Sequence, residues 1–197
     1  MPDLLNGVPM LLYVKNMVCD RCIMIVKQQL ESSGLKVNAI SLGKIEVEPA
    51  PNENKLQDLA GSLQALGFEL IDKEKDQLVE QIKTKVIDLI HYSDLNALTQ
   101  SLTQLIADQL NKDYAYLSRQ FSESEGLTIE KYIIQQKIEK VKELLEYGEL
   151  NLNEIAYKVG YSSSAHLSTQ FKSITGLTPS RYKTTALNSR KPLDKVI

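Results

Sequence analysis

Hydrophobic and polar positions divide the chain into two stretches with different periods. From Met10 to Asp72 short apolar runs alternate with helical stripes, and from Leu78 onward the period is helical almost throughout. Met10-Leu-Leu-Tyr-Val-Lys15 is an apolar, β-rich run that predicts a strand. Cys22 to Leu30 places Ile23, Val26 and Leu30 at helical spacing before Ser32-Ser33-Gly34 stops the helix. Val37, Ala39 and Ser41 alternate with Ile40 and Leu42, Gly43-Lys44 makes a tight turn, and Ile45 and Val47 alternate with acids until Pro49 and Pro51 end the strand. Leu56, Leu59, Leu63 and Leu66 mark a helix face closed by Gly67, and Phe68 to Ile71 predicts a last strand. The order strand, helix, strand, strand, helix, strand predicts an α+β ferredoxin-like sandwich over residues 8–74.

Beyond the charged link Asp72-Lys-Glu-Lys-Asp76, Leu78, Ile82, Val86 and Leu89 form one stripe and open an all-α domain over 77–186. No Gly/Ser-rich or Pro-rich linker separates the two parts, so close coupling is expected. The helical half contains a repeat. Leu117-Ser-Arg-Gln-Phe121 with Gly126-Leu-Thr128 and Tyr132 recurs as Leu167-Ser-Thr-Gln-Phe171 with Gly176-Leu-Thr178 and Tyr182. Ile106-Ala107 matches Ile155-Ala156 at an offset one shorter, so the second copy has one extra residue in its turn. One supersecondary unit is therefore used twice.

Each copy reads as two short helices with a tight turn, the build that lets a first helix cross the DNA backbone while the second enters the major groove. The units span 99–126 and 151–176. In the second, Asn151 and Glu154 form a capping pair, Ile155, Ala156 and Val159 give a buried face, Gly160 ends the first helix and Ser162 caps the next. Leu167, Phe171 and Ile174 are expected to face the core, which leaves Ser163, Ser164, Ala165, His166, Ser168, Thr169 and Lys172 on the groove side. In the first unit Leu117 and Phe121 face inward and Tyr114, Ala115, Ser118, Arg119 and Ser122 outward. Arg119, which can fork two donors onto a guanine edge, is the leading base-reading candidate. Thr128 caps a helix over 129–147 that Gly148 ends; at roughly 1.5 Å per residue it spans about 28 Å, near the rise of one DNA turn once the flanking units are added. Residues 187–197 are expected to form a flexible tail.

The segment Gly160-Tyr-Ser-Ser-Ser-Ala-His-Leu-Ser-Thr-Gln-Phe-Lys-Ser-Ile-Thr-Gly-Leu-Thr-Pro-Ser-Arg-Tyr-Lys183 resembles the signature that closes the AraC/XylS family of transcription regulators, and the resemblance runs from about Gln77 to Lys183. It implies sequence-specific binding to double-stranded DNA and control of transcription initiation, with RNA polymerase as a further partner. Two features depart from the family: Thr169 stands where many members carry Arg, and the first unit holds Asp108, Asp113, Glu123 and Glu125 against Lys112 and Arg119.

The net charge of −2 looks wrong for a nucleic-acid binder until it is divided. Residues 1–94 hold 10 Lys/Arg against 14 Asp/Glu, and residues 95–197 hold 13 against 11. Between Glu154 and Asp194 there is no acid, while Lys158, Lys172, Arg181, Lys183, Arg190 and Lys191 fall inside that stretch and predict a cationic surface. At 197 residues and 43% hydrophobic content the chain can build a real core. Its apolar runs are far short of a membrane span and no signal peptide is visible, so a soluble cytoplasmic protein with no membrane partner is expected. No Ser/His/Asp set, phosphate-cradling glycine loop or carboxylate pair is visible, and His91 and His166 are isolated, so an enzyme is not expected.

Met17-Val-Cys-Asp-Arg-Cys22 lies between a strand and a helix, in a fold that resembles the heavy-metal-associated domain of copper chaperones and metal-exporting pumps. The resemblance implies a soft ion, Cu(I) or Zn(II), held by Cys19 and Cys22. Thiolates at a helix start gain from its positive end, and Arg21 lowers their pKa further. A redox pair and inert cysteines on an inherited scaffold are the competing readings. Asn16 stands where the family has glycine, and Met17 reads as packing rather than a ligand. The alternative to a regulator is a soluble metal-binding chaperone or adaptor whose helical half binds protein rather than DNA.

Overall fold

The structure is a computed structural model that describes residues 8–185 and 190–196. Two compact units divide between Thr84 and Lys85. The first contains β1 (Met10–Lys15), α1 (Asp20–Ser32), β2 (Lys36–Ser41), β3 (Lys44–Glu48), α2 (Glu53–Ala65) and β4 (Glu69–Leu70). The strands form one antiparallel sheet in the order β2-β3-β1-β4, with Leu12 opposite Ile45 and Val14 opposite Leu70. Strand alternation sends Leu12, Val14, Ile45 and Val47 to one face, where Val26 and Leu30 of α1 and Leu59 and Leu63 of α2 bury against them. Each such side chain contributes about 1.5–3 kcal/mol when fully buried, so this shared face sets the register.

Three details differ from the periodicity. The first helix begins at Asp20, with Cys19 as its N-cap, because the apolar stripe becomes visible only after the first turn. Leu66, expected on the buried face of α2, is 47% exposed because it caps the helix just before Gly67 turns the chain at φ +87°. The last strand contracts to two residues flanked by buried Phe68 and Ile71.

Next comes α3 (Glu74–Ile87), whose Leu78, Ile82 and Val86 are buried as predicted. The sequence starts a second domain at residue 77, whereas the compact units divide inside α3. Polar contacts hold the front of this helix to the first unit: the Gln77 amide donates to the Ile71 carbonyl, and the Asn16 N–H donates to the Glu80 carboxylate at 3.2 Å.

In the second unit a π turn over Asp88–Tyr92 and a 3-10 turn over Leu95–Ala97 precede α4 (Leu102–Leu110), α5 (Tyr114–Glu125), α6 (Ile129–Tyr147), α7 (Leu152–Lys158), α8 (Ser164–Thr175) and α9 (Pro179–Thr185). The central helix α6 packs against α5, α8 and α9, and its buried residues include the polar Gln136, Glu139 and Lys142. The chain that covers them is the expected tail. Residues 187–189 and 197 lie outside the described residues, but over 190–196 the chain is held to α6. Arg190 pairs with Glu143 and Glu146, the Lys191 N–H donates to Glu139, the Gln136 amide donates to the Leu193 carbonyl, and Val196 is buried.

Candidate nucleic-acid interface

Two helix pairs, α4–α5 and α7–α8, are built on the same plan. Asp113 caps α5 by accepting from the Tyr116 N–H, and Gly126 ends it in the left-handed region. Ser163 caps α8 by accepting from the His166 N–H, and Gly176 ends it the same way. The cap is thus Ser163 rather than Ser162, whose hydroxyl lies 3.4 Å from His166 Nδ1. Thr128 and Thr178 then cap α6 and the start of α9, accepting from the Lys131 and Arg181 N–H groups. Phe121 meets Tyr132 at a ring separation of 5.5 Å and Phe171 meets Tyr182 at 5.4 Å, all four rings buried. The inner face of each second helix is therefore locked by a Leu, a Phe and a Tyr fifty residues from its counterpart, which fixes what faces out.

The turns also correspond. Asn111 takes a left-handed conformation, φ +49°, where α4 ends, and Gly160 does so at φ +70° where α7 ends. Asn151 and Glu154 make a full capping box on α7.

On the outer face of α5, Ala115 and Arg119 are exposed while Ser118 and Ser122 are half-buried. Tyr114 departs from the expected direction: it is half-buried and its hydroxyl donates to Glu130 at the start of α6. Burial and that carboxylate raise the phenol pKa above its usual range, and the bond lowers that of Glu130. On α8, Ala165, His166, Thr169 and Lys172 are exposed and Ser164 and Ser168 half-buried. The Ser168 and Thr169 hydroxyls donate to the carbonyls of Ser164 and Ala165, so each spends its proton on the helix and offers acceptor capacity outward. Ile174, expected in the core, is 47% exposed because α8 ends one residue later.

Tyr116 is a residue the spacing argument missed. It is 40% exposed on α5, with Lys112 Nζ 5.6 Å and Arg119 Cζ 5.9 Å from its ring centre. The repeat could have found it, since it stands fifty residues before His166. His166 in turn meets Tyr161 edge-on at 5.2 Å, and Lys137 Nζ lies 5.3 Å over the Tyr161 ring. Burial lowers the Lys137 pKa and pushes Tyr161 up to about 12.

The thiols lie in the other unit, at the start of α1. Cys19 Sγ and Cys22 Sγ are 3.4 Å apart and partly exposed. Burial raises both pKa values, but hydrogen bonds from the Cys22 backbone and thiol, the Arg21 N–H and the Arg21 charge bring Cys19 below its ordinary value, while Cys22 stays above it. Met17 is buried in the core, as expected of a packing residue. Among the described residues no third Cys, His, Asp or Glu joins a metal-holding group.

Residues 106–185 match a family described as a helix-turn-helix domain. The Msm operon regulatory protein of Streptococcus mutans is 37% identical over 78 residues, 40% of this chain and 28% of its own length. An HTH-type transcriptional regulator encoded in the cgkA 5' region of Pseudoalteromonas carrageenovora is 29% identical over 70% of this chain and 77% of its own length. Among solved structures, the C-terminal domain of AraT, a response regulator from Geobacillus stearothermophilus, is 29% identical, with 59% of this chain aligned to 92% of that one at TM-score 0.49. The chain thus spans just over a quarter of the first relative and about three quarters of the second. Its helical half contains a helix-turn-helix domain over the matched residues 106–185.

Proposed function

We propose that the chain is a sequence-specific DNA-binding transcription regulator of the AraC/XylS type, acting in the cytoplasm on duplex DNA and through RNA polymerase. The observation that carries this is the duplication: two helix pairs with matching caps, left-handed ends and locked Phe–Tyr cores each leave one helix face exposed. A bundle needs the apolar stripe but not a repeated turn and cap. Both named relatives being regulators agrees with it. Arg119 reads a base in this account, Lys172 anchors phosphate, and Ala115, Ser118, Ser122, Ala165, His166 and Thr169 line the groove. Ser163 caps α8, Tyr114 holds the start of α6 through Glu130, and half-buried Ser164 and Ser168 border the same outward face. The test is titration of the full chain with duplex DNA at several salt concentrations. A steep log-log loss of affinity is expected, and no binding or a flat response overturns the reading.

The βαββαβ order and the sheet order β2-β3-β1-β4 support a ferredoxin-like, heavy-metal-associated-like N-terminal domain. Its input is a soft monovalent ion at Cys19 and Cys22. Two thiols 3.4 Å apart at a helix start fit Cu(I), whereas Zn(II) calls for three or four protein ligands. When bound, such an ion supplies a charge that two thiolates can share. The residues around it act before that: the backbone and thiol of Cys22, the Arg21 N–H and the Arg21 charge lower the Cys19 pKa, and Asn16 fixes the loop through its bonds to Glu80 and the Gly67 carbonyl. The Cys19→Ser, Cys22→Ser double variant is expected to lose Cu(I) uptake measured on the purified protein, and unchanged stoichiometry removes the thiols from the mechanism.

A further inference from the structure

The first helix pair poses an electrostatic problem for a DNA reader. Between residues 99 and 126 there are four acids, Asp108, Asp113, Glu123 and Glu125, and two cations, Lys112 and Arg119. A unit of that composition is repelled by a phosphate backbone unless its positive charge is concentrated where the duplex meets it. Both cations do gather in one place. Lys112, in the turn, and Arg119, on the second turn of α5, stand four residues before and three after Tyr116 and lie within 6 Å of its ring. The ring itself is 40% exposed, whereas Leu117 and Phe121 of the inner face are fully buried.

We infer that Tyr116 is the positioning residue of the first pair's DNA contact, holding the Arg119 guanidinium over its ring so that the fork meets a base edge while Lys112 meets the adjacent phosphate. This rests on the DNA-binding reading above. An unrestrained arginine loses rotamer entropy on being fixed, so a side chain already held over a ring reaches its base with less to lose. The second pair supports the assignment independently. The same helix position holds another ring, His166, which packs on Tyr161, and Tyr161 in turn lies under Lys137. An aromatic residue with a cation near its cluster therefore stands at the same place on both outward helices.

The experiment begins with a pool of randomised duplexes, from which the full-length wild-type chain selects its preferred sequence. Affinities of variants are then measured on that duplex and on every single-base change of it, at several salt concentrations. Tyr116→Leu is expected to weaken binding to the selected duplex about 2- to 5-fold, as loss of an exposed cation–π contact implies. It is also expected to relax preference at the one position that Arg119→Ala relaxes, leaving the salt slope unchanged. Tyr116→Phe keeps the ring and is expected to bind as wild type. In an Arg119→Ala background Tyr116→Leu is expected to cost nothing further. The ring is exposed, so these variants should unfold at the wild-type temperature. Wild-type affinity and base preference in Tyr116→Leu, an equal loss in Tyr116→Phe, or additive losses with Arg119→Ala overturn the inference while leaving DNA binding in place. If the wild-type chain selects no sequence from the pool, the DNA-binding reading fails and this inference with it.

Discussion

Asn111 and Gly160 perform the same task at the same place in the two helix pairs, and only one of them is a glycine. Both take left-handed backbone where the first helix ends, φ +49° and +70°. Asparagine tolerates this region and glycine enters it freely, whereas a plain Cβ costs about 1–2 kcal/mol there. A Cβ on Gly160 would also stand 3.3 Å from Lys137 Nζ, the movable end of a flexible side chain. Gly160→Ala is therefore expected to destabilise by about 1–2 kcal/mol, read as a lower urea midpoint at constant m value, while Asn111→Gly leaves the midpoint nearly unchanged. His91 offers a second measurement. The Gln136 amide nitrogen donates to the Tyr132 hydroxyl and the Leu193 carbonyl, so its oxygen accepts from His91 Nε2–H at 3.0 Å. Burial, only partly opposed by this bond, lowers the His91 pKa from 6.5 to about 4. Between those values the unfolded chain binds the proton that the folded one refuses, so stability is full above pH 6.5 and falls as pH drops toward 4. The loss is on the order of 3 kcal/mol, and His91→Asn should flatten this part of the stability–pH curve.

Elements were legible in the sequence where their signals are local, and illegible where distant chain completes them. The spacing predicts α6 over 129–147 and the structure gives Ile129–Tyr147, because Thr128 and Gly148 are the caps and both sit next to the helix they bound. The capping box on α7 is equally local. That helix has only seven residues, so Asn151→Ala, which removes the one oxygen that accepts from two N–H groups, is expected to cost about 1 kcal/mol by thermal melting. By contrast, periodicity carried the core stripe one step too far at Ile174, because a repeat of 3.6 residues says nothing about where the last turn leaves the core. Choosing between Ser162 and Ser163 as the cap needed backbone angles that two adjacent serines do not reveal. Glu139 and Lys142 look like a solvated i, i+3 pair, yet they are buried 2.6 Å apart under a segment some fifty residues later in the chain. Truncating Glu139 removes both the carboxylate oxygen that pairs with buried Lys142 and the one that accepts from the Lys191 N–H. Glu139→Ala is therefore expected to destabilise by about 3 kcal/mol, read as a lower melting temperature. The outward positions on α5 and α8 were legible because Leu117, Phe121, Leu167 and Phe171 fix the inner faces. Tyr116 was legible only through the repeat, as the counterpart of His166, because spacing alone does not show which cations its ring collects.

At the scale of the whole chain, a net charge of −2 leaves the way charge is distributed to decide whether DNA is bound. The acid-free stretch between Glu154 and Asp194 contains six cations, but they do not form one surface. Arg190 is held by Glu143 and Glu146 on α6, and the segment carrying Lys191 is fixed to Glu139. Those residues serve folding. Lys158, Lys172, Arg181 and Lys183 are exposed and belong to α7, α8 and α9, the elements of the second helix pair and its cap. Adding Lys112 and Arg119 of the first pair gives six cations able to meet phosphate or base. Each phosphate neutralised contributes about −0.9 to the slope of log affinity against log salt, so the full chain is expected to show a slope of roughly −3 to −5. The same argument separates the two groups of cations. Lys172→Ala should weaken binding on all sequences alike and bring the slope about one closer to zero. Arg190→Ala should leave the slope as it is and lower thermal stability instead, by at most about 1 kcal/mol for a partly exposed pair. If Arg190→Ala moved the slope as far as Lys172→Ala, the carboxyl-terminal segment would belong to the DNA contact, and its ion pairs with α6 would have to open on binding.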